Sequence, residues 1–526
     1  MASSLSSLCV PETFNSPSVF GAEIRSLETN LVSDFSISIP ETSRFTQPAV
    51  ELKNATFCNV TVSYTHPGQN DNIIVETWLP ADNWNGRLQA VGGGGWILGR
   101  FAFSYNNMYG AIADGYATIT TDAGVPSNDS PETWALISPG NVNLYNLQNL
   151  ASVSLNDEAI IGKSLIKDFY GKGPDFSYWN GCSQGGRQGM MLAQRYPTAY
   201  DGIAVGAPGI YWTEFFPFLQ WSQQVMSLLG EYPYGCELDA ITSAAISACD
   251  KLDGVVDGVI TEPDACLGVF NPFSLVNTTI DCSQTNGTIK ISKIAAAVAN
   301  ATWQGTLSDK DAKAGWFGLN PGADLTGNML YSPGYGGIAA TNCSSGTCVG
   351  LPVAYGIQWL QLFGAQGADL DVTSLTRAQF GDWVYAAQQR FKSIIDTSDA
   401  DLTQFRDAGG KLVMYHGIQD NIVPTKGSEK YYNEVNARVS DVDGFYRYFE
   451  VPGLGHCGYG PGGLPTGLFE QLRNWVENGT APEQTSFELK GVNGTSQNRI
   501  ACPYPQKAKL DETCGDAANS KCWLCS

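Results

Sequence analysis

Basic side chains are scarce in this 526-residue sequence, in which 30 lysines and arginines face 51 aspartates and glutamates. The formal net charge of −21 repels nucleic acid and anionic membrane surfaces, so we expect neither as a partner. No run of about 18 apolar residues occurs, which predicts that no helix spans a membrane. The first residues lack a basic segment followed by an apolar one, so we expect a signal peptide to be missing from this sequence.

Histidine is also rare, with only His66, His416 and His456, and no paired CxxC motifs are present. A Cys/His zinc site is therefore not expected, and the lone Cys522–Cys525 spacing does not change this. The fourteen cysteines form an even set spread along the chain, which predicts disulfides and an extracellular, secreted protein. Glycosylation sequons agree with secretion. They begin at Asn54, Asn59, Asn128, Asn277, Asn286, Asn300, Asn342, Asn478 and Asn493.

Strand-like and helix-like segments alternate along much of the chain. Residues 59–65 and 73–79 alternate as strands do, and 156–171 has helical periodicity and ends at glycine. This order predicts an α/β fold with a largely parallel sheet. Residues 210–399 break the pattern with six cysteines and many turn residues. We expect them to form a lid domain inserted between catalytic segments 1–209 and 400–526.

A serine flanked by small residues stands between a predicted strand and a predicted helix. Residues 181–185 read Gly-Cys-Ser-Gln-Gly, which is the G-x-S-x-G pattern of the nucleophile elbow in α/β hydrolases. Small neighbours permit the sharp turn that exposes the serine, so Ser183 is predicted to be the nucleophile. The alternatives are a simple turn, or a thiol nucleophile at Cys182 that would have to stay unpaired in a cysteine-rich secreted protein.

The chain order of α/β hydrolases, which is serine, acid, then histidine, selects the other two groups. His456 lies in a loop after a late strand and is predicted to be the base. Asp420 lies in the loop after the preceding strand and is predicted to be the acid, while Asp441 and Asp443 are weaker candidates. His416 is expected to be a buried strand-end histidine with a structural hydrogen bond. His66 precedes a Pro-Gly turn and is expected at the surface.

The residues adjoining the predicted nucleophile and base are both cysteines. If Ser183 and His456 lie within hydrogen-bond distance, their neighbours are close enough for a disulfide. We therefore predict a Cys182–Cys457 bond that ties the elbow to the histidine loop.

An oxyanion hole beside such a serine needs two N–H groups that hold the developing alkoxide. Gln184, directly after the serine, is expected to supply one. The glycine-rich stretch 91–96 is expected to supply the other through Gly93 and Gly94, because glycine lets backbone approach a ligand closely. A phosphate loop is the alternative, but no Gly-Lys-Ser/Thr follows.

Three aspartates stand close together in the predicted lid. Asp250, Asp253 and Asp257 fall within eight residues, and glycines follow two of them. Calcium prefers several oxygen ligands, and glycine lets a loop curl around the ion, so a structural calcium site is predicted. The spacing is not that of an EF-hand, and a solvated turn is the alternative.

Four stretches together resemble the fungal feruloyl esterase and tannase family of α/β hydrolases. They read GCSQGGRQGM, CDKLDGVVDGVI, YHGIQD and FYRYFEVPGLGHCG, and the resemblance spans roughly residues 50–505 in order. It implies a triad on Ser183, Asp420 and His456 with the adjoining disulfide. It also implies a lid calcium held by the three aspartates and by the carbonyls of Val255 and Val259.

The resemblance implies hydrolysis of aromatic esters. Hydroxycinnamoyl esters of plant cell-wall sugars or soluble conjugates are the favoured substrates, and galloyl esters are the alternative. A catalytically inactive binding domain is disfavoured because all three triad positions are present. Cys9–Cys58 and Cys249–Cys266 are expected as further disulfides, while the pairing of the last four cysteines and the oligomeric state stay open.

Overall fold

The computed structural model describes residues 5–128, 130–306, 315–329, 336–344, 346–491 and 494–526. The strands are β1 (Glu23–Ile39), β2 (Val50–Thr65), β3 (Ile73–Pro80), β4 (Arg87–Val91), β5 (Ala117–Thr121), β6 (Leu136–Ser138), β7 (Asn141–Val142), β8 (Phe176–Cys182), β9 (Gly202–Gly206), β10 (Thr279–Cys282), β11 (Gly287–Lys290), β12 (Thr341–Ser344), β13 (Thr347–Gly350), β14 (Lys411–Gly417), β15 (Tyr446–Val451), β16 (Thr485–Lys490), β17 (Ser496–Ala501), β18 (Ala508–Leu510) and β19 (Trp523–Cys525).

The helices are α1 (Ala102–Ala113), α2 (Leu144–Gln148), α3 (Ser154–Tyr170), α4 (Gln184–Arg195), α5 (Trp212–Phe218), α6 (Trp221–Leu229), α7 (Gly235–Cys249), α8 (Pro263–Val269), α9 (Lys293–Gln304), α10 (Ala354–Trp359), α11 (Arg377–Ile395), α12 (Thr403–Asp407), α13 (Lys426–Arg438) and α14 (Leu468–Asn478). The predicted helix at 156–171 corresponds to α3, and Gly171 ends it in the left-handed conformation. Within the described residues, no helix has the length and apolar character needed to cross a bilayer.

A mixed sheet organises the molecule. Over the described residues it has nine strands in the order β1-β2-β3-β5-β4-β8-β9-β14-β15. The strands from β5 to β15 run parallel, and the strands β1, β2 and β3 form an antiparallel edge. Helices between the parallel strands supply the crossover connections that parallel pairing requires. The architecture is the predicted α/β-hydrolase fold.

Both faces of the parallel strands are buried, and successive residues of a strand enter different cores. In β14, Leu412 and Met414 join a core with residues of α3 and α4, whereas Val413 and Tyr415 join a core with residues of α14. A strand covered on both faces reads as a continuous apolar run, which is how this segment reads in the sequence.

The segment 210–399 adds no strand to the large sheet among its described residues. It contributes α5 to α11 and two small hairpins, β10–β11 and β12–β13. The chain leaves the sheet after β9 and returns before β14, and these two strands pair with each other. Near the two ends, the Thr397 N–H donates to the Ile210 carbonyl at 2.9 Å, so the departing and returning chains touch.

The prediction that His66 lies at the surface is wrong. Its side chain is buried, with Nδ1 2.7 Å from Asp71 and Nε2 3.3 Å from Asp157. Asp157 belongs to α3, which packs against β3 and β5. The Pro-Gly turn after the histidine is local, whereas its burial depends on a helix about ninety residues further along the chain.

Candidate active site

The nucleophile elbow is formed by Ser183, which stands directly between β8 and α4. Its backbone has φ 59° and ψ −119°, a conformation that is strained for a residue with a side chain. A Cβ added at Gly181 would lie 2.7 Å from the Gly185 carbonyl carbon, and one at Gly92 would lie 2.5 Å from the Gly185 Cα. Glycine at these positions therefore allows the turn to close against the loop after β4.

Ser183, His456 and Asp420 form a chain of hydrogen bonds at the carboxyl edge of the parallel strands. The Ser183 Oγ lies 2.9 Å from His456 Nε2, and His456 Nδ1 lies 2.8 Å from Asp420 Oδ2. A carboxylate can only accept, so Nδ1 carries the proton and Nε2 of the neutral ring accepts from the serine hydroxyl. The arrangement can move a proton from serine to histidine. By contrast, Asp443 pairs with Arg447, away from this chain of bonds.

Asp420 is held by more contacts than the prediction supplied. Its Oδ1 accepts the N–H groups of Ile422 and Val423, both at 2.8 Å, and its Oδ2 also accepts from His416 Nε2 at 3.0 Å. Burial alone raises the pKa of this carboxyl group, but the electrostatic attraction and hydrogen bonds of His456 and His416 outweigh burial and lower the pKa. This lowered pKa favours the ionised form of Asp420, which is the form that accepts from both histidines.

His416 is fully buried, as predicted. Its Nε2 faces only acceptors, Asp420 Oδ2 and the Val423 carbonyl, so the ring donates there and accepts from the Ser428 hydroxyl through Nδ1. This second histidine was expected to be structural. Its hydrogen bond to Asp420 could not be predicted from the order of the catalytic residues along the chain.

The Cys182–Cys457 disulfide joins the elbow to the histidine loop, with 5.9 Å between the two Cα atoms. The expected Cys9–Cys58 and Cys249–Cys266 bonds are also present. All fourteen cysteines lie within the described residues and none is free. The pairs that the sequence left open are Cys236–Cys282, Cys343–Cys348, Cys502–Cys525 and Cys514–Cys522.

Comparisons with known proteins agree with this geometry. The sequence profile described as tannase and feruloyl esterase matches residues 58–523. The chain belongs to the tannase and feruloyl esterase family. It is 38% identical over 469 residues to a probable feruloyl esterase of Arthroderma benhamiae, covering 87% of this chain and 84% of that protein.

Tannases of this family are also similar to the chain. It is 28% identical over 502 residues to the tannase of Aspergillus oryzae, covering 86% of this chain and 83% of that protein. The solved structure of a tannin acyl hydrolase from Aspergillus niger superposes with a TM-score of 0.83 at 27% identity, over 99% of this chain and 94% of that one. The activities named in the family are ester hydrolyses, and the chain is a carboxylic ester hydrolase.

The predicted glycine donors of this esterase are engaged elsewhere. The Gly93 N–H donates to Gln188 Oε1 at 2.8 Å, and the Gly94 N–H donates to the Ile97 carbonyl at 3.0 Å. Both glycines lie near Ser183, but in this arrangement neither N–H is available to an oxyanion. The sequence showed that glycine permits close approach, but it did not show that Gln188, one turn into α4, takes the Gly93 donor.

Two other backbone donors remain near the serine. Within the described part of the chain, neither the Gln184 N–H nor the Gly95 N–H has a hydrogen-bond acceptor. Gly95 and Gln184 both line a pocket that contains Ser183. The Gln184 side chain is fixed by the buried Arg187, whose Nε donates to Gln184 Oε1 at 2.6 Å. The Gln184 prediction therefore fits this geometry, with Gly95 beside it.

Two small pockets border Ser183 and His456. The lid-side pocket has a volume of about 20 Å³ and is lined by Gly95, Ser183, Gln184, Gly209, Trp212, Phe215, Phe216, Tyr355, Ile422 and His456. The outer pocket has a volume of about 50 Å³ and is lined by Thr42, Phe45, Gly93, Gly94, Phe101, Phe103, Cys182, Ser183, His456, Cys457 and Tyr459. Sequence reasoning identified none of the lid aromatics. Trp212, Phe215 and Phe216 form an aromatic cluster just after β9, which is a signal in the sequence, whereas Tyr355 stands far from that strand along the chain.

The predicted calcium loop has oxygen ligands, and its three aspartates already make contacts within the protein. Asp250 accepts the N–H groups of Asp257 and Gly258 at 3.0 and 2.9 Å, and Asp257 pairs with Arg499. Asp253 accepts the Val255 N–H at 3.0 Å. Among the described residues, no three His, Cys, Asp or Glu side chains form a metal-binding group. The donor chemistry fits a hard cation, because every potential ligand in this loop is an oxygen.

Proposed function

We propose that this family member is a secreted serine carboxylesterase that hydrolyses hydroxycinnamoyl esters of plant cell-wall sugars or soluble conjugates. The observation that carries the proposal is the hydrogen-bonded chain Ser183–His456–Asp420 beside an aromatic pocket. The similarity to a probable feruloyl esterase at 38% identity supports the substrate class.

The mechanism follows from these contacts. As Ser183 Oγ attacks the ester carbonyl, its proton passes to His456 Nε2, and Asp420 stabilises the resulting imidazolium. We assign the oxyanion to the Gln184 and Gly95 N–H groups, because both residues line the pocket and neither N–H has an acceptor in the described structure. His456 then gives the proton to the departing alcohol, and a water molecule hydrolyses the acyl-enzyme with His456 again acting as base.

The acyl ring is assigned to the lid-side pocket. The faces of Trp212, Phe216 and Tyr355 suit a planar phenolic ring, but the present volume of about 20 Å³ is too small for one. Tyr355 is only half-buried, so we expect its side chain to move when the substrate binds.

Two buried hydrogen-bond donors lie on side chains that line this pocket. The side-chain N–H groups of Gln184 (Nε2) and Trp212 (Nε1) are buried and unpaired in the described structure, and both are donors suited to an acceptor such as a methoxy oxygen. A phenolic hydroxyl oxygen also accepts a hydrogen bond, so these two donors suit a feruloyl and a galloyl ring alike. A buried donor discriminates strongly against a ligand that offers it no acceptor. Tannase activity remains the second candidate because of the tannase similarities.

Parallel hydrolysis of methyl ferulate, methyl caffeate and methyl gallate tests the proposal, with Ser183→Ala as the control. We expect the two cinnamates to be turned over faster than the gallate, and Ser183→Ala to lower kcat by several orders of magnitude. Faster gallate turnover would make the enzyme a tannase. Absence of Ser183 labelling by a fluorophosphonate, together with no turnover, would indicate a binding domain.

Secretion is supported by the complete pairing of fourteen cysteines, which an oxidising compartment permits. Eight of the nine sequon asparagines lie in described residues, and all eight are exposed or half-buried. The ninth, Asn493, lies outside the described residues. Mass spectrometry of the protein from a secreting host, before and after glycan removal, is expected to show occupied sequons.

A structural calcium ion in the 250–259 loop is the last part of the proposal. Asp250, Asp253 and Asp257 would hold it, with the Val255 and Val259 carbonyls. We expect chelation to lower the melting temperature and added Ca²⁺ to restore it, because a ligand of the folded state stabilises that state. Asp253→Asn should abolish the Ca²⁺ response, whereas Asp281→Asn, at an exposed lid position, should retain it. A wild-type protein indifferent to chelator would contradict the assignment.

A further inference from the structure

A polar groove of about 500 Å³ begins where the outer pocket ends. We call it the Gly-loop groove, and residues 41–42, the loop 459–464, and β16 with Asn498 of β17 form it. Thr42 and Tyr459 line both cavities, so the groove is the neighbour of the pocket that contains Ser183 and His456. None of its lining residues belongs to segment 210–399.

The floor of the groove is fixed backbone. The Gly463 N–H donates to the Glu488 carbonyl at 2.7 Å, and the Lys490 N–H donates to the Pro461 carbonyl at 2.8 Å. A Cβ at Gly462 would lie 2.2 Å from the Pro452 carbonyl oxygen, so only glycine allows the loop to pack there. These contacts bind the histidine loop to β16, which gives the groove a preformed shape.

Six of the lining side chains are polar and have no partner among the described residues. Within the described residues, no hydrogen bond or ion pair engages the side chains of Glu41, Thr42, Tyr459, Ser486, Lys490 and Asn498. They combine donors, acceptors and one aromatic face, which is what a hydroxyl-rich ligand requires. The volume falls in the range of about 300–1,000 Å³ typical of small-molecule sites.

We propose that the Gly-loop groove binds the alcohol half of the ester, and that this half is a sugar of one or two rings. The inference rests on the proposed function. The lid-side pocket and the outer pocket both border the serine, so an ester whose acyl ring lies under the lid directs its alcohol towards the outer pocket and the groove. A methyl ester leaves the groove empty, whereas a sugar ester fills it.

The test compares kcat/KM for a feruloyl disaccharide ester with kcat/KM for methyl ferulate. Ser486→Trp places an indole in the groove from an exposed strand position. We expect it to lower the ratio of the two kcat/KM values about tenfold or more, because the sugar loses its site. Lys490→Ala, a smaller change, should lower the ratio in the same direction. Lys509→Trp, at an exposed position of β18 outside the groove, is the control that should keep the wild-type ratio.

A second test measures, by saturation-transfer NMR, the binding of the unesterified disaccharide to the Ser183→Ala variant. It examines the groove without ester chemistry. We expect a signal that Ser486→Trp removes and Lys509→Trp retains. Absence of the signal, or an unchanged ratio in Ser486→Trp, overturns the groove assignment. Failure of the proposed function is seen separately, as slow turnover of methyl ferulate itself, and the ratio is then measured with the preferred acyl group.

Discussion

The two sides of Ser183 are built from different parts of the chain and from different chemistry. The lid-side pocket takes its rings from Trp212, Phe216 and Tyr355, all within segment 210–399. The Gly-loop groove takes its polar side chains from the N-terminal and C-terminal parts. Aromatic faces favour a flat ring, whereas unpaired polar groups favour a ligand that forms a hydrogen bond with each of them. This difference supports the proposal that the acyl and alcohol halves of a substrate contact separate segments.

The largest effect is expected from Asp420→Asn, because Asp420 supports the chemistry common to both sides. The amide cannot accept from His456 and His416 as a carboxylate does, so the His456 ring loses its correct tautomer. We expect kcat to fall by about a thousandfold or more. The loss should be equal for methyl ferulate and for a sugar ester. Unequal losses of kcat for the two substrates in steady-state assays would contradict the view that the triad acts independently of the acyl and alcohol sites.

Cys182→Ala/Cys457→Ala is expected to have the next largest effect. The disulfide closes a loop with a sequence separation of 275, and its loss should reduce the free energy of unfolding by about 2–4 kcal/mol. We expect kcat to fall by up to about a hundredfold as the Ser–His geometry loosens. The control is Cys343→Ala/Cys348→Ala, which opens a loop with a separation of only 5 and lies far from the serine in sequence. Denaturant unfolding and kcat measure the two quantities, and unchanged turnover in the first variant would contradict a positioning role.

Tyr355→Ala sharpens the comparison on the lid side alone. Removing the ring should lower the preference for methyl ferulate over methyl acetate about tenfold, since the aromatic contact is lost. It should leave the preference for sugar over methyl alcohol as in the wild type. Phe273→Ala, at an exposed aromatic position of the same segment, is the matched control. A change in the preference for sugar over methyl alcohol would show that the lid also affects binding of the alcohol half.

The smallest effect is expected on the pH dependence of stability, through Glu450 of β15. This strand precedes the His456 loop. Burial and the neighbouring Glu429 raise the pKa of Glu450 from 4.5 to about 8, and Tyr448 and Lys507 also face this group. The folded state keeps this proton when the unfolded chain has lost it, so stability falls as pH rises from 4.5 to 8. The melting temperature of the wild type should therefore be lower at pH 8 than at pH 5. Glu450→Gln should make this difference smaller by a few degrees. Thermal melts at pH 5 and pH 8 measure it, and an unchanged pH slope would contradict the assignment.

Local motifs predicted the reacting groups, because the elbow requires Gly181 and Gly185 beside the serine wherever it occurs. Properties decided by distant residues were not predictable in the same way. The Gly93 N–H is taken by Gln188. His66 is buried by a helix that the turn after it does not specify. The C-terminal cysteine pairs depend on how β17, β18 and β19 come together, which spacing alone leaves open.

The contact between Ile210 and Thr397 has a consequence for how such enzymes diversify. An insertion that departs from and returns to neighbouring parallel strands behaves as one long surface loop, whatever it contains. Its exchange leaves the register of β9 and β14 intact, and with it the edge that carries the reacting groups. If the two sides of Ser183 select the two halves of a substrate as we propose, exchange of this one contiguous segment would change the acyl pocket and leave the groove residues of the flanking segments in place.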